Sequence, residues 1–468
     1  MSYKISLSFL LLVSVYFFSY MFGIPMASGN PHLQYISLPG NQDARFVAYL
    51  NNRLWVGGTN ALCTNSFDFF LVSVNTSNGQ YISHCLGTDT TDVCLGGTAD
   101  EARGRLIMCG ETRPSIENTD ALILIADTSG EVVAQRQIGS PFLTESVKNA
   151  AIMSNGNIVF TGFISDFTGA NNMWILCTDS LLQTRWQISF GGNGNDIANG
   201  LALDPADTIY VLGDSNSDGN GGYDAMLMKI SPDGSVLWNN YYGNNVNNGT
   251  QGIFATDDGN WLIFGETDAP SGPPFNYWTR KVNPSGVQLW EREFGGVGAD
   301  ALFAGLLFQH QFFFTGYSSS AASGAPIDAV FCITDTLCNV IGEWQLGRNS
   351  IDIGFCITQK NNHIYFAGQS ADGDDDDIFY GMYALPPQSI GATQKNSMAF
   401  FPYPNPAGNE LIIPQGNTLF GLDDITGRDC TFLIDSVGDN KILLDNLPSG
   451  LYICRTKKGN HLIFHQHE

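Results

Sequence analysis

Residues 193–243 read NGNDIANGLALDPADTIYVLGDSNSDGNGGYDAMLMKISPDGSVLWNNYYG, and this stretch decides the fold. It holds four short alternating apolar runs, 197–203, 208–212, 225–230 and 236–242, broken by turn chemistry at DPAD, DSNSDGNGGYD and SPDG. That pattern predicts one four-stranded antiparallel unit. The unit recurs. Glycines closing the fourth run fall at Gly87, Gly139, Gly191, Gly243, Gly295 and Gly347, 52 residues apart each time. A second glycine closes the second run at Gly58, Gly110, Gly162, Gly213, Gly265, Gly316 and Gly368, with gaps of 51 or 52. The third run opens on Asp68, Asp120, Asn172, Asp224, Asn276 and Asp328, with Asp377 following slightly early. Such a sheet cannot bury both faces alone and must stack on neighbours, so a four-strand repeat of this length reads as a propeller blade. The second-run glycines count seven blades.

The seventh copy lacks a fourth strand, because the chain after 379–384 runs into LPPQ. The missing strand is expected from the other end of the chain. Residues 33–40, LQYISLPG, resemble the fourth runs QYISHCLG (80–87) and GEWQLG (342–347), yet no first three runs precede them. Residues 33–38 therefore complete blade seven and remove the open sheet edges of a linear array.

Ahead of this strand, residues 1–29 carry Lys4, a long apolar run and then Ala27, Ser28 and Gly29, which reads as a cleaved secretory signal peptide. The alternative is an uncleaved membrane anchor, since the apolar run approaches the length of a span. Composition agrees with export. Of 468 residues, 45 are acidic and 21 basic, a formal net charge of −24 that repels phosphate backbones and anionic lipid surfaces and excludes nucleic acid as a partner. Ten cysteines suit an oxidising compartment, with Cys94–Cys109, Cys332–Cys338 and Cys430–Cys454 as candidate bridges. For the propeller cysteines, the alternative is that they fill strand faces as small apolar residues.

Register is lost from residue 385, and a polar linker, 387–399, leads into residues 400–468. There, short runs at 410–413, 430–434, 441–444, 451–456 and 461–464 predict a small β-sandwich. The motifs YPNPA (403–407), ELII (410–413), DITGR (424–428) and LPSGLYI (447–453) follow in order. In them this segment resembles the type A C-terminal sorting domain of type IX secretion cargo. The resemblance assigns the sorting motif to Pro404, Asn405, Pro406, Gly427, Gly450 and Tyr452. It implies Sec export, passage through the outer membrane, and release or anchoring at the cell surface. An ordinary adhesive sandwich is the alternative. His461, His465 and His467 lie in the last eight residues, and His465 and His467 share a strand face at a spacing two metal ligands use.

In a propeller, first strands line the central channel, and the loops joining strands four to one and two to three share one face. Asp92, Asp196, Asn248, Asp300 and Asp352 each fall five residues after a fourth-strand glycine, with Thr144 in that place in blade three. Asp92, Asp196, Asp300 and Asp352 are the candidate binding residues of an acidic loop face. Against that, repetition in nearly every blade favours carboxylates that cap their own loops. The run 372–377, DGDDDD, offers Asp372, Asp374, Asp375 and Asp376 as candidate calcium ligands, although it lacks the spaced loop with a distant bidentate Glu. No other cofactor is implied. Trp186, Trp238 and Trp290 stand 52 apart and read as packing between blades; their SPDGSVLW-type context also resembles the docking motif of quinoprotein dehydrogenase propellers, without a cofactor site.

Residues 41–384 are similar to bacterial β-propeller repeat proteins, on the Asp-aliphatic third strand, the PDG turn, the Trp and the double glycines Gly191-Gly192 and Gly295-Gly296. That resemblance implies secreted or surface proteins. No nucleophile elbow, HExxH or Walker loop is present, and no catalytic residue is assigned. His310 and His363 read as surface or packed residues. The expected object is an all-β, seven-bladed propeller with a C-terminal sandwich, secreted or held at the outer cell surface, binding glycan or protein. The rival is a hydrolase or lyase acting on polysaccharide through channel-mouth carboxylates. A third reading is a purely architectural surface protein.

Overall fold

The computed structural model describes residues 30–385 apart from loop stretches at 64–65, 116–117, 166–168, 219–221, 244–246, 269–274, 321–326, 349–350 and 373–374, together with the backbone of six strands between 410 and 465. The leader 1–29 and the linker 387–399 lie outside the described residues. The chain divides into two compact units, Met1–Pro386 and Pro387–Glu468.

The first unit is a seven-bladed β-propeller with no helix among the described residues. Blades one to six span 42–86, 91–138, 145–190, 196–242, 248–294 and 300–346, each a four-stranded antiparallel sheet in sequence order. Blade seven is Ile351–Lys360, His363–Asp372 and Asp375–Ala384, completed by His32–Ile36. In this closing strand Leu33 opposes Gly381 and Ile36 opposes Ile378. The N-terminal strand thus fills the place the sequence left open.

Second and third strands are apolar on both faces because both faces are buried, one against each neighbouring blade. Along blade four, Ile209, Val211, Met226 and Met228 enter the cluster shared with blade three. Their alternates Tyr210, Leu212, Ala225 and Leu227 enter the cluster shared with blade five. The two-residue period of a strand makes that division. Each junction around the ring has such a cluster, including the one between blades seven and one. At 25 cal/mol per Å², burial of this kind is the main stabilising term.

The second-strand glycines have a steric cause. In all seven first strands the pairing register slips by one residue, leaving a β-bulge at Arg45, Leu95, Lys148, Asn199, Gln251, Phe303 and Phe355. The bulge turns a carbonyl of the first strand onto the second. A Cβ at Gly58, Gly110, Gly162, Gly213, Gly265, Gly316 or Gly368 would meet the carbonyl oxygen of Asp43, Val93, Ser146, Ile197, Gly249, Ala301 or Ile353, each two residues before the bulged one. Only glycine admits that approach.

At the outer rim, fourth-strand tryptophans lean on the next blade, in blades three to five on its turn between strands three and four and in blade six on the residue ahead of the closing strand. Trp186 Nε1 donates to Pro232 O at 3.1 Å, and its ring lies over Gly234. Trp238 lies against Gly286, Trp290 joins the cluster containing Cys338, and Trp344 Nε1 donates to Asn30 Oδ1 at 3.2 Å. The tryptophans therefore pack between blades, as their spacing implies.

Cysteine pairing differs from the candidates. Cys63, in the loop after strand two, is bonded to Cys85 on strand four of blade one. Cys94 and Cys109 are free because they point to opposite faces of their sheet, into the blade one–two and two–three clusters respectively. Cys332 and Cys338 are free and buried. Cys338 takes the positive-φ turn position that is Gly234 in blade four and Gly286 in blade five. Cys430 lies outside the described residues.

In the second unit, Glu410–Ile412, Lys441–Leu443 and Asp435–Val437 form one antiparallel sheet, and Leu419–Asp424, Gly450–Thr456 and Gly459–His465 form another. Strands Leu419–Asp424 and Asp435–Val437 have no counterpart in the sequence reading, and the run 430–434 lies outside the described residues.

Two outcomes follow. Gly265→Ala forces the Gly249 carbonyl aside and should lower stability by about 3 kcal/mol in chemical denaturation; an unchanged midpoint would contradict the bulge–glycine fit. Cys85→Ser opens a covalent loop with a sequence separation of 22 and should cost about 3 kcal/mol, read by the same titration with and without reductant.

Candidate functional site

The loop-face aspartates do not present charge to solvent. Asp92, Asp196, Asp300 and Asp352 are each 0 % exposed. Asp196 accepts from Gly192 N at 2.9 Å and Ser217 Oγ at 2.6 Å; Asp300 accepts from Gly296 N at 2.6 Å and Ser318 Oγ at 2.5 Å; Asp352 accepts from Arg348 N at 2.9 Å. Asp92 accepts from Thr88 N at 2.5 Å and Thr88 Oγ1 at 2.9 Å. Each carboxylate ties down the loop that precedes its strand. Fourth-strand glycines are needed because a Cβ at Gly191 or Gly295 would strike Asp196 or Asp300 and the third-strand Asn172 or Asn276. In blade three the equivalent residue is Glu145, not Thr144: the register places Val147 opposite Gly162 as it places Ala198 opposite Gly213. The loop there is one residue longer, and Glu145 is 4 % exposed. In blade one the place belongs to Gln42, whose Oε1 accepts from Leu38 N at 3.1 Å.

Three residues beyond that position lies the bulge, and here the seven copies diverge. Arg45, Leu95, Lys148, Asn199, Gln251, Phe303 and Phe355 all line an axial cavity of about 490 Å³. Small residues behind them, such as Gly200 and Gly252, let the first strands converge: a Cβ on Gly200 would lie 3.2 Å from the Gly252 Cα. The ring has two unlike walls. Phe303 and Phe355 stand with centroids 5.3 Å apart, Tyr317 lies 5.8 Å from Phe303, and the Arg45 guanidinium sits 4.0 Å over Phe355. The adjoining arc, blades three to five, carries Lys148, Asn199 and Gln251.

The polar wall is backed by carboxylates one residue past the second-strand glycines. Lys148 Nζ donates to Asn199 Oδ1 at 2.6 Å, and Asn199 Nδ2 donates to Asp214 Oδ2 at 2.7 Å. Asp214 Oδ1 also accepts from Thr250 N at 2.8 Å and Thr250 Oγ1 at 2.7 Å on the next blade. Thr59 Oγ1 does the same for Cys94 N at 3.0 Å, so this position joins blades beside the bulge. Gln251 Nε2 reaches Glu266 Oε2 at 3.4 Å. Burial pushes the Asp214 carboxyl up to about 6, against the pull of Thr250. Burial, reinforced by Asp214, pushes Glu266 up to about 7. Burial also holds the Lys148 ammonium below its usual value, against the pull of the Asp214 carboxylate. The result is a channel mouth with one aromatic side and one side able to donate, accept and exchange protons near neutrality.

The other candidates are placed as follows. In the acidic run, Asp372 and Asp375 oppose each other across a hairpin whose tip, including Asp374, lies outside the described residues. Asp375 is exposed, and Asp376 accepts from Gln369 Nε2 at 2.7 Å. Among the described residues no group of three or more His, Cys, Asp or Glu is disposed to hold a metal ion. His310 is an exposed turn residue 2.5 Å from Asp257, and His363 stacks on Tyr365. In the sorting motif, Gly450 and Tyr452 pair with His465 and Ile463, whereas Pro404, Asn405, Pro406 and Gly427 lie outside the described residues, as does the metal-ligand candidate His467.

No family model matches the chain, and no curated protein matches it. Solved propellers are similar in fold. The WD40 domain of Neurospora crassa Pan2 aligns with TM-score 0.48 at 11% identity, covering 76% of this chain and 96% of that one. The polysaccharide lyase Uly1 gives 0.47 at 8%, covering 79% and 95%. The β-propeller domain of the Trilobed protease from Pyrococcus furiosus gives 0.43 at 10%, covering 73% and 95%.

The raised carboxyls make stability depend on pH. Both bind protons more tightly folded than unfolded, so their contribution is present at low pH and is lost as pH rises through about 6 for Asp214 and about 7 for Glu266. Glu266→Gln should therefore flatten the fall in Tm between about pH 5 and about pH 8; an identical slope in the variant would contradict the assignment.

Proposed function

We propose that this protein is an exported glycan-binding propeller, carried to the outer cell surface by Sec and type IX secretion and binding its ligand at the channel mouth. The observation that carries the binding role is the two-sided ring: an aromatic arc, Phe303 and Phe355, and a polar arc, Lys148, Asn199 and Gln251, lining one cavity of about 490 Å³. A sugar has the matching asymmetry, with an apolar C–H face and a rim of hydroxyls, and a pocket with a few convergent polar groups orients it. Export rests on the leader-like 1–29 and on the sorting motifs of 400–468, read as a sandwich joined by the linker 387–399 to a propeller of 30–386. The type IX machinery is then a partner of residues 400–468. The binding role requires no cofactor, and calcium at the 372–376 run enters as an additive to test.

The expected result on a glycan array, with calcium and with chelator, is a specific signal from the chain beginning at residue 30. Phe303→Ala and Gln251→Ala should each lower it about tenfold or more. A signal unchanged in both variants would move the site away from the channel, and a protein ligand would then take precedence.

A second reading is favoured by one observation. Asp214 and Glu266, on adjacent blades, hold their protons toward neutrality, as an acid–base pair cleaving a polysaccharide would require. Release of new reducing or unsaturated ends from a bound polysaccharide, abolished in Glu266→Gln, would support hydrolase or lyase activity. Binding without release would remove it.

A further inference from the structure

We propose that the ligand seated at the channel mouth carries a protonated amine, as an amino-sugar unit does, and that its ammonium lodges between the Glu266 carboxylate and the Phe303–Tyr317–Phe355 wall. This rests on the glycan reading above.

The argument is one of unmatched charge. Every other acid around the mouth is answered by the protein. Asp43 accepts from Arg45 Nε at 2.8 Å, Glu111 pairs with Arg113 at 2.7 Å, and Asp214 accepts from Thr250 and Asn199. The two basic residues of the ring are committed, Arg45 to Asp43 and to the face of Phe355, Lys148 to Asn199. Glu266 has only the Gln251 amide, at 3.4 Å, and among the described residues no cation. Its charged neighbours, Asp214 and Asp268, carry the same sign. A half-buried carboxylate in that setting is held at a disadvantage until a cation arrives.

The surroundings say what kind of cation. Glu266 occupies in blade five the position Asp214 holds in blade four, at the junction with the following blade. The following blade brings Phe303, the bulged residue, and Tyr317, whose hydroxyl is held up by burial and by the Glu266 charge. Tyr317 and Phe303 lie 5.8 Å apart, and Phe355 continues the wall 5.3 Å beyond. A carboxylate beside aromatic faces suits a substituted ammonium, which takes charge from the one and cation–π attraction from the other. Hydrated metal ions would instead need several oxygen ligands, which the described residues of this corner do not assemble. Gln251 and Asn199, on the adjoining first strands, line the same cavity and place amide groups beside the hydroxyls of the same residue.

The test is calorimetric titration of the chain beginning at residue 30, near neutral pH, with a glucosamine oligomer and with its N-acetylated counterpart. Acetylation removes the charge and leaves the ring intact. The expected result is about tenfold tighter binding of the free amine, with the preference between the two oligomers lost in Glu266→Gln. Equal or tighter binding of the N-acetylated oligomer, or a preference that survives Glu266→Gln, overturns the inference and leaves the glycan reading standing. Failure of both oligomers to bind overturns the inference, and the glycan array then decides the glycan reading by itself.

Discussion

One contact, repeated seven times, sets what the rest of the propeller does: a bulge in each first strand driven against a glycine of the second. A bulge adds a residue to one strand and turns it out of the ladder. Placed at the same register in every blade, it delivers seven side chains to one level of the axis. It also presses a carbonyl onto the second strand, where only hydrogen fits. The glycine spacing along the chain is thus the trace of a ring of residues elsewhere in the sequence. Small residues following the bulge let the inner strands converge, and the apolar second and third strands hold the blades at that distance.

The repeat supplies the scaffold, and its exceptions supply the chemistry. The first-strand position that recurs with an acid or its amide, Gln42, Asp92, Glu145, Asp196, Asn248, Asp300 and Asp352, is buried and serves the scaffold. The bulged position is structurally the most constant and chemically the most varied: Arg, Leu, Lys, Asn, Gln, Phe, Phe. A sevenfold frame carrying seven different groups gives a cavity with distinguishable walls. Electrostatics follows from the same placement, since the carboxylates behind the ring are taken out of water by neighbouring blades and shift toward neutrality.

Much of the fold was legible because spacing survives sequence divergence. The glycines located the blades, and LQYISLPG located the closing strand, which pairs with Asp375–Ala384. Run 236–242 matches the strand Val236–Tyr242. Blade three shows the limit of counting: one extra loop residue moved the loop-closing acid from Thr144 to Glu145. The channel site was not legible, because Lys148, Asn199, Gln251, Phe303 and Phe355 share a register and no chemistry. Asp214 and Glu266 gave no signal either, since the residue after the second-strand glycine varies with them from Thr59 to Tyr317. A reading that fixed the position three residues after each loop-closing acid would have found the ring. The Cys63–Cys85 bond was missed for a related reason. It joins a loop to a fourth strand, not neighbouring strands across a turn.

The central claim is that function resides in the variable ring on the axis, with the repeated aspartates serving the scaffold. The most direct measurement is a crystal structure of the chain beginning at residue 30, soaked with an oligosaccharide that it binds in solution. The account predicts ligand density on the axis, one sugar face against Phe303 and its hydroxyls toward Asn199 and Gln251. Density on the outer rim or over the loops, with the axial cavity holding solvent alone, would contradict it.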